Sequence, residues 1–201
     1  MKQFSGYDEA KKAAQYSGGV KLPAGAYVCD IIGVKPEEGK GGYSNMIHLQ
    51  FEIVEGEYKG FFKKQYEENT NENKKYKGKT TIYCPKDDGT EQDGWTKNTF
   101  AKWTNALEES NAGYHWDWDE SKWKGKKIGI VFGETGTKIE GKDIVYTEAR
   151  YPVSVEKVRT GKAGEAKFKA KNGYGSNSQT STNDMGFVNV PDGIEEELPF
   201  E

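Results

Sequence analysis

Residues 46–54 read MIHLQFEIV and alternate between two sets of side chains with a period of two. In an extended chain, successive side chains point to opposite faces. One face of this stretch carries only large apolar side chains: Ile47, Leu49, Phe51 and Ile53. The other face carries Met46, His48, Gln50, Glu52 and Val54. The pattern predicts a strand with one face in an apolar core and the other toward solvent.

Turn signals on both sides of this strand predict its neighbours. Pro23-Ala24-Gly25 leads into an apolar stretch over 26–35, which predicts a first strand followed by a Gly- and charge-rich loop. On the other side, residues 55–60 (EGEYKG) predict a tight turn into a third strand that begins at Phe61-Phe62. A polar surface excursion and a short strand over 80–84 come next.

A helix and a second hairpin are predicted further along the chain. Thr96 or Asn98 can cap the helix, and its apolar side chains recur at spacings of three and four: Phe100, Trp103, Thr104 and Leu107. Residues 126–133 alternate again and 143–158 form a long β-rich run, so these two segments predict a pair of strands.

The element order strand, strand, strand, helix, strand, strand is the order of the OB-fold, a five-stranded Greek-key barrel. We therefore expect an all-β domain with one helix over residues 20–159. Residues 1–19 predict a short N-terminal helical extension. The polar, Gly-, Ser- and Asn-rich residues 160–183 predict a flexible linker, and residues 184–201 predict a disordered acidic tail.

Charge is unevenly distributed along the chain. Residues 184–201 contain six acidic residues and neither Lys nor Arg. The net charge of −3 therefore leaves +3 on residues 1–183, which hold 29 basic and 26 acidic residues. Such a split favours an anionic ligand for the body of the protein and a different partner for the tail.

Several classes of function are disfavoured. The chain has no apolar run of about 18 residues and no signal-peptide pattern, so we expect no membrane contact and a cytoplasmic protein. Cys29 and Cys84 form no zinc-like spacing with His48 and His115, which predicts free thiols, no metal and no cofactor. The carboxylates form no spaced catalytic motif and residues 39–42 (GKGG) are too short for a phosphate-binding loop, so no enzyme activity is expected.

Two stretches resemble a known class of protein. Residues 22–27 (LPAGAY) with 46–60 (MIHLQFEIVEGEYKG) resemble a family of phage-encoded single-stranded DNA-binding proteins. Residues 194–200 (IEEELPF) are similar to the acidic tail of bacterial single-stranded DNA-binding proteins. In those proteins the chain ends at the phenylalanine, whereas Glu201 follows Phe200 here.

The resemblance implies an OB-fold protein of phage DNA replication, recombination or repair that binds single-stranded DNA without sequence preference in a bacterial host. It also implies that the tail recruits replication or recombination proteins through Asp192, Glu195, Glu196, Glu197, Leu198, Pro199 and Phe200. A homodimer is compatible with the sequence, which leaves open the oligomeric state and the preference between DNA and RNA.

Single strands bind to basic grooves that contain aromatic side chains on which bases stack. Basic and aromatic residues interleave in the first loop, around the third strand and in the last hairpin. The candidate nucleic-acid-binding residues are Lys35, Lys40, Tyr43, His48, Gln50, Lys59, Phe61, Phe62, Lys63, Lys64, Tyr66, Tyr76, Lys77, Lys142, Tyr146 and Arg150. One of Phe61 and Phe62 is expected to be in the core and the other to point outward.

Three alternatives stay open at this point. Trp116 and Trp118 either pack on the barrel or stack bases. A β-barrel adaptor would recruit replication proteins without contacting DNA, and a nuclease would cleave the strand that it binds.

Overall fold

The computed structural model of the chain describes residues 20–175, which contain six strands and three α-helices. The strands are β1 (Gly25–Glu37), β2 (Met46–Ile53), β3 (Lys79–Tyr83), β4 (Lys127–Ile139), β5 (Lys142–Val153) and β6 (Lys169–Ala170). The helices are α1 (Phe61–Glu68), α2 (Glu91–Ser110) and α3 (Val155–Arg159), with a 3-10 turn at Glu120–Trp123. The domain is mostly β, but three helices replace the single predicted one.

The strands form one open sheet in the order β3-β2-β1-β4-β5, with every neighbour antiparallel. A register shift between Ile31 and Gly33 bends the central strand β1, because a bulge adds local twist. β6 lies off this order and pairs in parallel with β4. β1 therefore lies at the centre of the sheet, between the pair β2–β3 and the pair β4–β5. The two end strands, β3 and β5, do not pair with each other.

The strand predicted from residues 46–54 is confirmed as β2. Its large apolar side chains, Ile47, Leu49, Phe51 and Ile53, are at most 4% exposed, whereas the opposite face is half-buried or exposed. The inward face belongs to the same core cluster as the apolar side chains of α2, which contacts β3, β4 and β5. The alternation in the sequence thus places the core correctly.

The prediction of a third strand at Phe61-Phe62 is wrong, because these residues begin helix α1. Gly60, with φ 76°, precedes the helix and offers no side-chain cap. Glu52 of β2 takes that role, since the backbone N–H groups of Phe62 and Lys63 donate to its Oε1 (3.0 Å) and Oε2 (2.6 Å). The cap comes from another element of the fold.

The helix α2 begins earlier than predicted. Thr90 caps it in place of Thr96 or Asn98, and its Oγ1 accepts a hydrogen bond from the backbone N–H of Asp93 at 3.2 Å. The predicted apolar face is confirmed, since Phe100, Trp103, Thr104 and Leu107 are all buried.

Regular structure continues beyond Arg159, where the sequence predicted the start of a linker. β6 pairs with β4 at Thr135 and Gly136, and the backbone N–H of Lys171 donates to the Gly136 carbonyl at 2.8 Å. Phe168 and Tyr174 pack against each other over Gly136, with ring centroids 5.4 Å apart. Residues 160–175 therefore belong to the domain. The predicted N-terminal helix (1–19), the rest of the linker and the acidic tail lie outside the described residues.

The two cysteines are free thiols, as predicted. Cys29 lies on β1 with its side chain in the core, and burial, followed by the nearby Glu52 and Asp30 carboxylates, raises its pKa. Cys84 is half-buried. Residues 20–175 hold no group of three or more His, Cys, Asp or Glu residues placed to bind a metal ion. In the same range, no helix is both long and apolar enough to cross a membrane.

Candidate nucleic-acid interface

The outward sides of β1, β2 and β3 form one exposed polar surface. Their registers place Lys35 beside His48, His48 beside Thr81, and Gln50 beside Lys79. Met46 and Tyr83 continue the surface toward the β1–β2 loop. We call this surface the outer face and define it by Lys35, Met46, His48, Gln50, Lys79, Thr81 and Tyr83. It unites three predicted binding residues, Lys35, His48 and Gln50, with four that are not among the predicted site residues: Met46, Lys79, Thr81 and Tyr83.

His48 is fixed in the middle of the outer face. Its Nδ1 lies 2.9 Å from Thr81 Oγ1 and its Nε2 lies 3.2 Å from Glu37 Oε2. A carboxylate beside the ring repels phosphate, so the position suits contact with a base better than contact with the backbone of a nucleic acid. The neighbouring Lys35 is exposed and supplies positive charge.

An aromatic and basic cluster borders the outer face at α1. Lys74 Nζ lies 4.7 Å from the centroid of the exposed Tyr66 ring, which lies 6.1 Å from the Tyr76 ring. The Tyr76 hydroxyl donates to Glu52 Oε2 at 2.8 Å and to the Phe51 carbonyl at 3.2 Å. Burial, followed by the hydrogen bond to Glu52, raises the pKa of Tyr76 and keeps it a donor. Tyr66 is therefore the accessible ring of this pair.

A groove of about 290 Å³ extends the surface from α1 to β5. Gln65 and Lys77 line one side, and residues 144–147, including Tyr146, line the other. β3, an end strand of the sheet, begins at Lys79, and Lys77 comes two residues earlier. The exposed side chains of Lys77 and Lys79 therefore lie next to each other along this edge of the sheet. The outer face and this groove together run from Tyr83 to Tyr146.

Besides Tyr76, three predicted binding residues are used by the domain itself. The Arg150 side chain is 13% exposed and donates to Glu148 Oε1 (2.9 Å), Thr135 Oγ1 (2.6 Å) and the Glu134 carbonyl (2.7 Å). Phe62 is buried with its ring 5.7 Å from Phe51, and Phe61 packs against the same core. Neither phenylalanine points outward from a strand, although both line the groove beside β5, and Arg150 does not contribute to the exposed surface.

Glu148 holds the region around Arg150 together. Besides Arg150, it accepts hydrogen bonds from Thr135 Oγ1 at 2.9 Å and from Lys171 Nζ at 3.0 Å. Burial opposes ionisation of this carboxyl group, but its hydrogen bonds with Lys171 and Thr135 and the nearby positive charges outweigh burial and lower its pKa.

The other predicted lysines lie at the periphery. Lys40 and the highly exposed Tyr43 are in the β1–β2 loop, and Lys142 is at the tip of the β4–β5 hairpin. On α1, Lys63 and Lys64 face Glu67 (3.9 Å) and Glu68 (3.8 Å), so their charges are partly balanced. Lys59 lines a separate hollow with Glu57 and Glu68 and is not part of the outer face.

The two tryptophans that the sequence left open differ from each other. Trp116 is half-buried and packs against Trp123 and Phe100, with centroid distances of 5.1 Å and 6.0 Å. Trp118 lies 5.8 Å from Trp116 but is 80% exposed. Trp116 is therefore part of the packing of the domain, whereas the Trp118 ring is accessible to a ligand.

Comparison with known proteins gives no match, either to a protein-family model or to a curated protein. The resemblance of residues 22–60 to phage single-stranded DNA-binding proteins therefore stays a prediction.

Proposed function

We propose that this chain binds single-stranded DNA through the outer face and does so without catalysing a reaction. The observation that carries the proposal is the strand register, which sets Lys35, His48, Gln50, Lys79 and Thr81 side by side on an exposed surface. Tyr83 at one end and the Tyr66–Lys74 pair near the other add aromatic rings. Lysines attract phosphates, and exposed rings stack bases at about 1–3 kcal/mol per base.

The element order supports an OB-fold for the domain. OB-folds are partly open five-stranded barrels that bind oligonucleotides across strands 2 and 3 and the loops joining strands 1 to 2 and 4 to 5. In this chain, α2 lies between β3 and β4, and the corresponding loops carry Lys40, Tyr43 and Lys142. We infer that α1 fills the opening between β3 and β5, since it lines one groove together with residues 144–147.

The proposed biological setting rests on the sequence resemblance. The stretches at 22–27 and 46–60 support a role in phage DNA replication or recombination in the cytoplasm of a bacterial host. The acidic residues at the end of the chain are suited to recruiting basic partner proteins. DNA and partner proteins would then use different parts of the chain.

A charge-matched pair of variants tests the DNA-binding surface. Lys35→Ala/Lys79→Ala removes two lysines from the outer face, and Lys102→Ala/Lys162→Ala removes two exposed lysines from α2 and from the segment after α3. In titrations with fluorescent oligo-dT, the first variant should bind more weakly. The slope of log K against log salt should fall in magnitude by about 0.7 per lysine.

The control variant should bind oligo-dT like the wild type. An equal loss in both double variants would contradict the outer face as the binding surface. Shortening of a labelled strand during incubation with Mg²⁺ would contradict the non-enzymatic part of the proposal.

A further inference from the structure

A second surface feature lies at the end of β3, away from the groove beside β5. It is an apolar pocket of about 600 Å³. Its apolar lining consists of Ile47, Cys84, Pro85, Phe100, Trp116 and Trp118. We call it the tryptophan pocket. None of these residues belongs to the outer face.

The backbone at Trp118 is in an unfavourable conformation. Its φ is 66°, in the left-handed region that bulky residues rarely adopt. Such conformations persist where the surroundings impose them, and they concentrate at binding sites. Here Lys122 forms ion pairs with Asp117 and Asp119 and so fixes the turn that carries the exposed indole.

The rim of the tryptophan pocket is acidic. Asp87 and Glu120 line it, and an adjoining hollow that shares Ile47, Cys84 and Glu120 and reaches Met46 of the outer face adds the carboxylates of Glu38 and of Glu37, which also contacts His48. The lysine in the lining, Lys97, pairs with two carboxylates, Asp87 at 2.5 Å and Asp93 at 2.9 Å, so these three groups together keep one negative charge. A phosphate in this place would face several carboxylates, whereas a cation would be attracted.

We propose that the tryptophan pocket binds an arginine or lysine side chain of a partner protein, together with a neighbouring apolar residue. Tryptophan is the aromatic side chain that attracts cations most strongly. The methylene stem of the cationic residue can pack on Phe100 and Pro85 while its charged end meets Glu120 and Asp87. The bases of a nucleic acid can also stack on an exposed indole, but its phosphates would be repelled by the carboxylates of this rim.

The test uses the full-length protein and two short peptides. The first is acetyl-Leu-Arg-Leu-Arg-amide, and the second replaces each arginine by citrulline, which has nearly the same shape and no charge. The arginine peptide should shift the indole N–H signal of Trp118 in a saturable NMR titration. Its affinity should exceed that of the citrulline peptide at least tenfold at low salt and should decrease as salt is added.

Variants locate the binding site. Trp118→Gly fits the left-handed backbone, so the variant should fold, and it should lose binding of a fluorescein-labelled arginine peptide. Glu120→Gln should weaken that binding severalfold. Trp95→Ala removes another exposed tryptophan, located on α2, and should bind like the wild type. Oligo-dT affinity should be the same in Trp118→Gly and in the wild type, which separates this proposal from the DNA-binding surface.

Three results would overturn the proposal. The first is an absence of peptide binding or equal binding of the arginine and citrulline peptides. The second is full peptide binding by Trp118→Gly. The third is a shift of the Trp118 indole signal by oligo-dT together with a loss of oligo-dT affinity in Trp118→Gly, which would make the pocket a base-stacking site.

Discussion

Arg150 and Tyr76 have the chemistry of nucleic-acid contacts, yet both serve the domain's own structure. The guanidinium of Arg150 is held by Glu148 and Thr135, and the hydroxyl of Tyr76 is held by Glu52. Tyr66 stays exposed beside Lys74. At the scale of the residue, the sequence indicates which side chains have suitable chemistry. It does not reveal which of them are occupied, because this depends also on contacts with residues such as Thr135 and Glu52, which lie 15 and 24 residues away along the chain.

The variant Glu148→Gln tests the network around Arg150. It removes the negative charge that faces Arg150 and Lys171, and a largely buried cation without its partner is costly. We expect a loss of about 2 kcal/mol in the free energy of unfolding at neutral pH, measured by urea denaturation. Glu165→Gln, at an exposed carboxylate nearby in sequence, should change stability by less than about 0.5 kcal/mol.

The effect of Glu148→Gln should also depend on pH. The pKa of Glu148 is lowered in the folded protein, so its carboxylate takes up a proton at a lower pH there than in the unfolded chain. The stabilisation that the ionised Glu148 gives the folded protein is therefore fully present above the ordinary glutamate pKa. It is lost as pH falls through the lowered pKa of Glu148 in the folded protein. The difference between variant and wild type should shrink in acid; a difference that is the same at acidic and neutral pH would contradict the account.

At the scale of elements, the alternation of side chains predicted the strands that have one face in the core. It located β1, β2 and the apolar face of α2 to within a few residues. It failed at α1, because Phe61-Phe62 favours strands locally and the cap that starts the helix is Glu52 on β2. It also missed β6, which joins the edge of β4 through backbone hydrogen bonds that composition does not encode.

The candidate site was predictable only in part for the same reason. His48 and Gln50 could be chosen from the sequence because they lie on the polar side of a predicted strand, and Lys35 because it begins the basic and aromatic first loop. Lys79 and Thr81 joined them only through the register of β2 with β3, which no local pattern specifies.

The variant Phe62→Ala tests whether α1 is part of the core. The ring packs against both Phe51 and Phe132, at centroid distances of 5.7 Å and 6.0 Å. Its removal should leave a cavity and lower the free energy of unfolding by about 3–5 kcal/mol in urea denaturation. Lys64→Ala, on the exposed side of the same helix, should cost less than about 0.5 kcal/mol. A loss below about 1 kcal/mol for Phe62→Ala would indicate that α1 is a loosely attached surface helix.

At the scale of the whole molecule, two surfaces of opposite chemistry lie on one small domain. The outer face combines lysines with exposed rings, and the tryptophan pocket combines exposed rings with carboxylates. Residues 20–175 hold 26 basic and 24 acidic residues, a net charge of +2, so the domain as a whole weakly attracts an anionic strand. Under the two proposals, a nucleic acid on the outer face and a basic partner protein at the tryptophan pocket would occupy neighbouring surfaces of the domain.

The most direct test of the central claim is the binding of the full-length protein to fluorescent oligo-dT and to a duplex of equal length, followed by anisotropy across a range of salt. Binding to the single strand should be at least tenfold tighter than to the duplex. Its log K should fall linearly with log salt, with a slope of about −0.7 for each phosphate contacted. Equal affinity for strand and duplex, or no binding to oligo-dT at low salt, would contradict the account.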